Sequence, residues 1–186
     1  LELYKNARDA DSRSAFGSVV VFNRALDKDT ANELLRTYVE GVAAPDYEEG
    51  ALGILEQKKD LRVMLFSGLD MLPKFVGDDT EGLYDMKALP TGRLIVQKPY
   101  LTSIKSPSDL IIDGMVKEKD GKEHVVNRSP ANCELEDMLI SWYVNFGVRS
   151  NGIVLVKEGV TLAIGSGQQE RVGAVEQAIV KAYQKA

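Results

Sequence analysis

The sequence holds one cysteine, Cys133, and one histidine, His124. A lone cysteine excludes an intramolecular disulfide, and with no second Cys or His beside either residue a Cys- or His-rich metal site is not expected. Cys133 lacks a positioned histidine that would activate it as a nucleophile. Long apolar runs are also missing: Val19 to Phe22 and Gly152 to Val156 fall far short of the roughly 18 residues a membrane helix needs. The amino end, Leu1-Glu2-Leu3-Tyr4-Lys5, shows no basic region followed by a hydrophobic core, so no signal peptide is expected. A soluble, cytoplasmic chain is the expectation, and the lack of an initiator Met points to further residues upstream. Nor is there an excess of positive charge. With 28 acidic against 23 basic residues and a net charge of −5, the chain lacks the basic face of a nucleic-acid binder.

What is present suits a folded α/β protein: 186 residues with 44% hydrophobic content can bury a substantial core. Ser18 to Phe22 reads as a strand. A helix is expected over Asp29 to Val39, where Ala31, Leu34, Leu35 and Tyr38 share one stripe. The short apolar piece Val42-Ala43-Ala44 ends at Pro45. A second helix is expected from Tyr47 to Lys58, with Leu52, Ile54 and Leu55 turned inward, followed by a strand from Arg62 to Phe66. Alternation at this spacing predicts layered α/β structure. Residues 67–92, rich in Gly, Asp and Pro, read as a connection between two halves, after which Arg93 to Gln97 resumes a strand. The charged run Lys117 to His124 suits a solvated hairpin tip centred on Asp120-Gly121. In the last third, Asn132 is read as the cap of a helix that buries Leu135, Met138, Leu139, Trp142 and Phe146 and stops at Gly147. Two strands follow, and then a closing helix expected to face the sheet through Val172, Val175, Ile179 and Ala182.

The step Gly165-Ser166-Gly167-Gln168 lies between a strand and a helix, where free backbone NH groups and the helix dipole can hold an anion. Arg171, early in that helix, could set a guanidinium beside such an anion. Glycines there also serve a plain tight turn, and the residues alone leave both readings open. The phosphate-loop and dinucleotide patterns are absent, which disfavours nucleotide hydrolysis and hydride transfer. Asn151, just before a strand, could bond either a turn backbone or a ligand. Ser14-Ala15-Phe16-Gly17 is read as a loop entering a strand, with Gly17 permitting close approach.

Taken together, several stretches resemble the transformylase family that formylates AICAR (5-aminoimidazole-4-carboxamide ribonucleotide). Ala10 to Gly17, continuing through Val21-Phe22-Asn23-Arg24 to Asp27 and Thr30-Ala31, resembles that family's Asp-Pro-Ser-Ala-Phe-Gly-Gly segment with its strand and helix. Arg149-Ser150-Asn151-Gly152-Ile153-Val154 is similar to Lys-Ser-Asn-Ala-Ile-Val, and Gly165 to Val172 to Gly-Ala-Gly-Gln-Met-Ser-Arg-Val. Between them, Glu40 to Pro45 and Tyr47 to Leu52 resemble the family's Ala-Pro and acidic helix start.

The resemblance implies a cytidine-deaminase-like fold in two halves without catalytic zinc, residues 1–88 belonging to the first and 89–186 to the second. It implies transfer of a formyl group from 10-formyltetrahydrofolate to AICAR, with a monovalent cation left open, in a cytoplasmic homodimer. By the same resemblance Asn151 lies at the reacting groups and the folate. Arg171, Gly167, Gln168 and Glu40 bind the nucleotide, and Arg13 and Gly17 line the folate side. The family's Lys-His pair is expected before Tyr4 and its Asp-Ala-Phe-Phe-Pro-Phe segment after Ala186, so the chain alone is expected to be inactive. Ser18, Gly152 and Gln169-Glu170 depart from the family pattern. The alternatives are a noncatalytic nucleotide- or folate-binding module on the same scaffold and a structural subunit whose glycine turns merely pack.

Overall fold

A computed structural model describes residues 1–185, the side chains of Val116 and Lys185 excepted. The chain forms two compact units, one made of Leu1–Asp70 and the residues from Glu136 onward, the other of Met71–Leu135.

The first unit opens with a helix absent from the sequence expectation, α1 (Glu2–Ala10), and a short turn of helix, α2 (Ser12–Ala15), in place of the expected loop. Only Tyr4 of α1 is buried, so the segment carries no apolar stripe that would announce it. The Asp11 carboxylate caps α2 by accepting the Ser14 N–H at 3.2 Å.

Strands β1 (Ser18–Val21), β2 (Val39–Ala44) and β3 (Arg62–Leu65) run parallel in that spatial order. Between them lie α3 (Lys28–Leu34) and α4 (Ala51–Leu55). The Asp27 carboxylate starts α3, accepting from Thr30 N at 2.7 Å and from Thr30 Oγ1 at 2.8 Å. The helix is shorter than expected. Thr37, Tyr38 and Val39 are β-branched or aromatic, favour extended backbone, and lead into β2. Tyr38 is accordingly exposed rather than part of a buried stripe, and the expected apolar piece Val42-Ala43-Ala44 lies inside β2. Leu52, expected inward, is exposed, because the shorter α4 turns Ala51 and Leu55 to the core. That core is built from Leu26, Ala31, Leu34, Val42 and Leu55. It covers one face of the sheet, and Val19, Val21 and Met64 stay exposed.

The second unit contains two hairpins. β4 (Asp85–Ala88) pairs antiparallel with β5 (Leu94–Gln97), and β6 (Met115–Lys117) with β7 (Glu123–Val125). Part of the expected connection over residues 67–92 is therefore β4. The division expected between residues 88 and 89 falls in the turn of this first hairpin, inside the second unit. The β6–β7 turn forms where Asp120-Gly121 was expected to make one, with Gly121 at φ +93.

Helix α5 (Asn132–Phe146) follows. Asn132 is its first helical residue rather than its cap. Glu134 takes over part of that role, accepting the Ala131 N–H at 2.8 Å while Arg128 donates to both carboxylate oxygens at 2.7 and 2.6 Å. The helix stops as expected at Gly147, whose N–H reaches Val144 O at 3.1 Å. Its expected stripe is not buried: Met138, Trp142 and Phe146 are exposed.

β8 (Ile153–Lys157) and β9 (Val160–Gly165) form an antiparallel hairpin whose turn rests on the Asp137 carboxylate, which accepts from Glu158 N and Gly159 N at 2.9 and 2.8 Å. The last helix, α6 (Arg171–Lys185), packs on β9 through Ala174 and Ala178, both fully buried. Val172, Val175 and Ile179, expected to face the sheet, are exposed. The cause is steric. A methyl group on Gly165 would stand 2.0 Å from the Ala174 carbonyl oxygen, an approach only glycine facing small residues allows.

Candidate functional site

The turn from β9 into α6 is fixed by hydrogen bonds from several directions. Gly167, at φ +66, donates its N–H to Arg149 O at 2.9 Å. Asn151 N donates to Gln168 O at 3.1 Å, and Asn151 Nδ2 donates to Gln168 O at 3.0 Å and to Gln169 O at 3.2 Å. Ser166 N donates to Gln177 Oε1 at 2.8 Å, Gln168 Nε2 to Ser166 O at 3.2 Å, and Lys181 Nζ to Ile164 O at 2.8 Å. Carbonyl groups and amides of a reverse turn, left without water, are costly unless paired, and these side chains pair them.

Arg171 is the first residue of α6 and is exposed. Among the described residues it makes no ion pair. It lines a cleft of about 410 Å³ together with Ser150, Asn151, Ile153, Val172 and Val175. The cleft therefore joins an apolar floor to a guanidinium, a carboxamide and the start of a helix, whose first NH groups have no partner within the helix itself.

A second cleft of about 560 Å³ is lined by Asp11, Ser14, Arg149, Ser166, Gly167 and Lys181 among others. Arg13, exposed in α2, sits one residue from Ser14 but does not line it. Gly17 and Glu40 face each other at the amino-terminal edge of the parallel sheet. Gly17 has φ +73, its N–H donates to Tyr38 O at 2.9 Å, and a side chain there would begin 3.6 Å from Glu40 Oε1. Phe16 stacks at a tilt on Tyr38 beside them, ring centroids 5.0 Å apart.

The structure thus brings Asn151 and Arg171 to one cleft, joins Asn151 to the turn at Gln168, sets Gly167 in the other cleft, and pairs Gly17 with Glu40 elsewhere on the unit; Gln168 and Arg13 line neither cleft. Gln177 and Lys181 escaped the sequence reading, although a signal for them exists. Ala174, Gln177, Ala178 and Lys181 stand at i, i+3, i+4 and i+7, a helical stripe that counting large apolar residues passes over.

The family described as AICARFT/IMPCHase bienzyme matches residues 1–181. A bifunctional purine biosynthesis protein PurH from Caldicellulosiruptor bescii is 38% identical over 178 residues, 96% of this chain and 30% of that protein. The PurH of Nostoc punctiforme is 37% identical over 185 residues, 100% of this chain and 32% of the relative. That of Aquifex aeolicus is 36% identical over 181 residues, 97% and 30% of the two chains. The chain spans under a third of the length of these relatives.

Proposed function

Because the chain belongs to the AICARFT/IMPCHase bienzyme family, we propose that it supplies one side of a site that moves a formyl group from 10-formyltetrahydrofolate to AICAR in purine biosynthesis. The observation that carries this reading is the convergence of Asn151 and Arg171 on one cleft behind a hydrogen-bonded glycine turn. In this reading the cleft takes the nucleotide. Arg171 pairs with its phosphate, Gly167 and Gln168 offer the turn, and a charge-assisted contact of this kind fixes orientation as well as affinity.

The reaction joins the AICAR amine nitrogen to the formyl carbon, passes through a tetrahedral oxyanion, and breaks the bond to the folate nitrogen. The amine gives up a proton and the leaving nitrogen takes one. A weak aromatic amine needs alignment, proton transfer and oxyanion stabilisation. Asn151 suits the alignment: its NH2 group holds the turn, so its position is tied to that of Arg171. Glu40 would approach the nucleotide, with Gly17 and Arg13 on the folate side.

The same reading assigns the chain a cytidine-deaminase-like scaffold, to be completed by further polypeptide in a cytoplasmic homodimer. Exposed apolar side chains on α5 and α6, among them Met138, Trp142 and Ile179, support a covered surface in the whole protein. No helix of the described residues is long and apolar enough to cross a membrane.

The test is calorimetric binding of AICAR to the chain and to Arg171→Ala, alongside formyl transfer from 10-formyltetrahydrofolate. Binding lost in Arg171→Ala at unchanged melting temperature is the expected result. Formyl transfer by the chain alone would show that the site is complete within it. Binding indifferent to Arg171 would overturn the assignment of the cleft, and no binding by the unaltered chain would leave the structural-subunit reading, in which the glycine turns merely pack.

A further inference from the structure

The turn between β9 and α6 and the strand end before it are also contacted by side chains from beyond the Gly165 to Val172 stretch. Ser166 is the first residue of the turn, directly after β9, and side chains hold both of its backbone polar groups. Its N–H donates to Gln177 Oε1 at 2.8 Å, and its carbonyl accepts from Gln168 Nε2 at 3.2 Å. Gln177 lies on α6, between the buried Ala174 and Ala178, on the face that packs against β9. One turn further along, Lys181 Nζ donates to Ile164 O at 2.8 Å. The same helix that begins at Arg171 therefore reaches back, through two side chains one turn apart, to grip the strand end and the turn that precede it.

We infer that Gln177 is a positioning residue for ligand binding: by accepting the Ser166 N–H it sets the turn against the start of α6 and so fixes Arg171 and Gly167 relative to each other. The argument is geometric. Gly167, one residue on at φ +66, gives the turn wide backbone freedom. Without Gln177 the Ser166 amide would need another acceptor, and an amide rotated toward the cleft would change which donors meet an anion. Arg149 O and Asn151 hold the turn from the β8 side, and Gln177 holds it from the helix side, so the two restraints are not redundant. Gln177 does not line the Arg171 cleft and would act only through the turn.

The inference rests on the nucleotide reading of the cleft, and the experiment separates the two. AICAR binding is measured by calorimetry on the unaltered chain, Gln177→Leu and Gln177→Glu, with melting temperature and amide exchange at Ser166 read in parallel. Leu keeps the volume and removes the acceptor; Glu keeps an acceptor oxygen. The expected result is binding weakened about fivefold to tenfold in Gln177→Leu, the effect of one hydrogen bond, with faster exchange at Ser166 and binding recovered in Gln177→Glu. Equal binding in all three proteins, or equal loss in Leu and Glu in step with a fall in melting temperature, would overturn the positioning role while leaving the cleft assignment intact. Failure of the unaltered chain to bind AICAR would remove both.

Discussion

Arg8 donates through Nη1 to Glu33 Oε1 at 2.6 Å and so ties α1 to α3. The pair is largely shielded, with side-chain exposure of 15% for Arg8 and 9% for Glu33, whereas Arg36, which also reaches Glu33, is 74% exposed. An ion pair in water contributes little, and a shielded charge left alone is costly. Glu33→Gln and Arg8→Ala should therefore lower the melting temperature clearly more than Arg36→Ala. The Arg8 guanidinium holds the Glu33 carboxyl below its ordinary value of 4.5, with Arg36, Lys5 and the Coulombic field of Arg8 adding to the effect. A depressed carboxylate stabilises the fold above 4.5, and that contribution disappears as pH falls through the lowered value. Thermal melts at neutral and acid pH should show the gap between the unaltered chain and Glu33→Gln narrowing on acidification. A gap independent of pH would mean that Glu33 acts by packing alone.

Gly165 should not tolerate alanine. The added methyl would lie 2.0 Å from Ala174 O and 3.2 Å from Ala178 N, both backbone atoms, so α6 itself would have to move off β9. Overpacking of this kind costs about 1–3 kcal/mol or more. A methyl group on Gly53 would meet nothing within 4 Å outside its own helix, and Gly53→Ala serves as the comparison. Chemical denaturation should show a loss of that size for Gly165→Ala, accompanied by weakened nucleotide binding because Arg171 moves with the helix. A Gly165→Ala protein as stable as Gly53→Ala would argue that α6 does not pack this closely.

Local pattern made part of this structure legible. The strand at Ser18, the hairpin at Asp120-Gly121, the helix stop at Gly147 and the β8–β9 hairpin all follow from alternation and turn residues, which act over a few positions. The rest depends on partners distant in sequence. α1 is held by Tyr4 in the core and by Arg8 on Glu33, neither of which leaves a periodic trace. The face of α6 differs from the one its large apolar residues predict because Ala174 and Ala178 are small enough to approach Gly165, while the larger Val172 and Ile179 stay outside. For the site, the motif positions Asn151, Gly167, Gln168 and Arg171 were readable. Gln177 and Lys181 were not, since their role is to pair backbone groups that exist only once the turn has formed.

Asn151 gives a test of scaffold against contact. Its Nδ2 donates to two carbonyl oxygens of the turn, Gln168 O and Gln169 O. Asn151→Asp would set a carboxylate against those same carbonyls, replacing attraction by repulsion. Asn151→Ala would remove the side-chain donors while its backbone N–H still serves Gln168 O, at a cost of about 0.5–1.5 kcal/mol. Melting temperatures should fall in both variants, and at least as far in Asn151→Asp as in Asn151→Ala. If both melt like the unaltered chain, the carboxamide is not holding the turn and its part is confined to the ligand.

The Arg128–Glu134 pair at the start of α5 offers a direct reading of acid behaviour. Glu134 is pulled down from 4.5 to about 2, first by the two hydrogen bonds from Arg128, next by the Ala131 N–H, and further by the guanidinium charge. Because the folded value lies below the unfolded one, any stability the pair contributes is complete above pH 4.5 and is lost as pH falls toward 2. Both side chains are exposed to solvent, so salt should weaken the effect. Titration of the Glu134 carboxyl carbon by NMR should place its midpoint far below the ordinary glutamate value of 4.5. Arg128→Ala should raise the midpoint without restoring it fully, since the Ala131 amide still donates to the carboxylate. A Glu134 midpoint in the ordinary glutamate range in the unaltered chain would mean that the bidentate pair does not persist in solution, and that α5 begins without this carboxylate to hold its first turn.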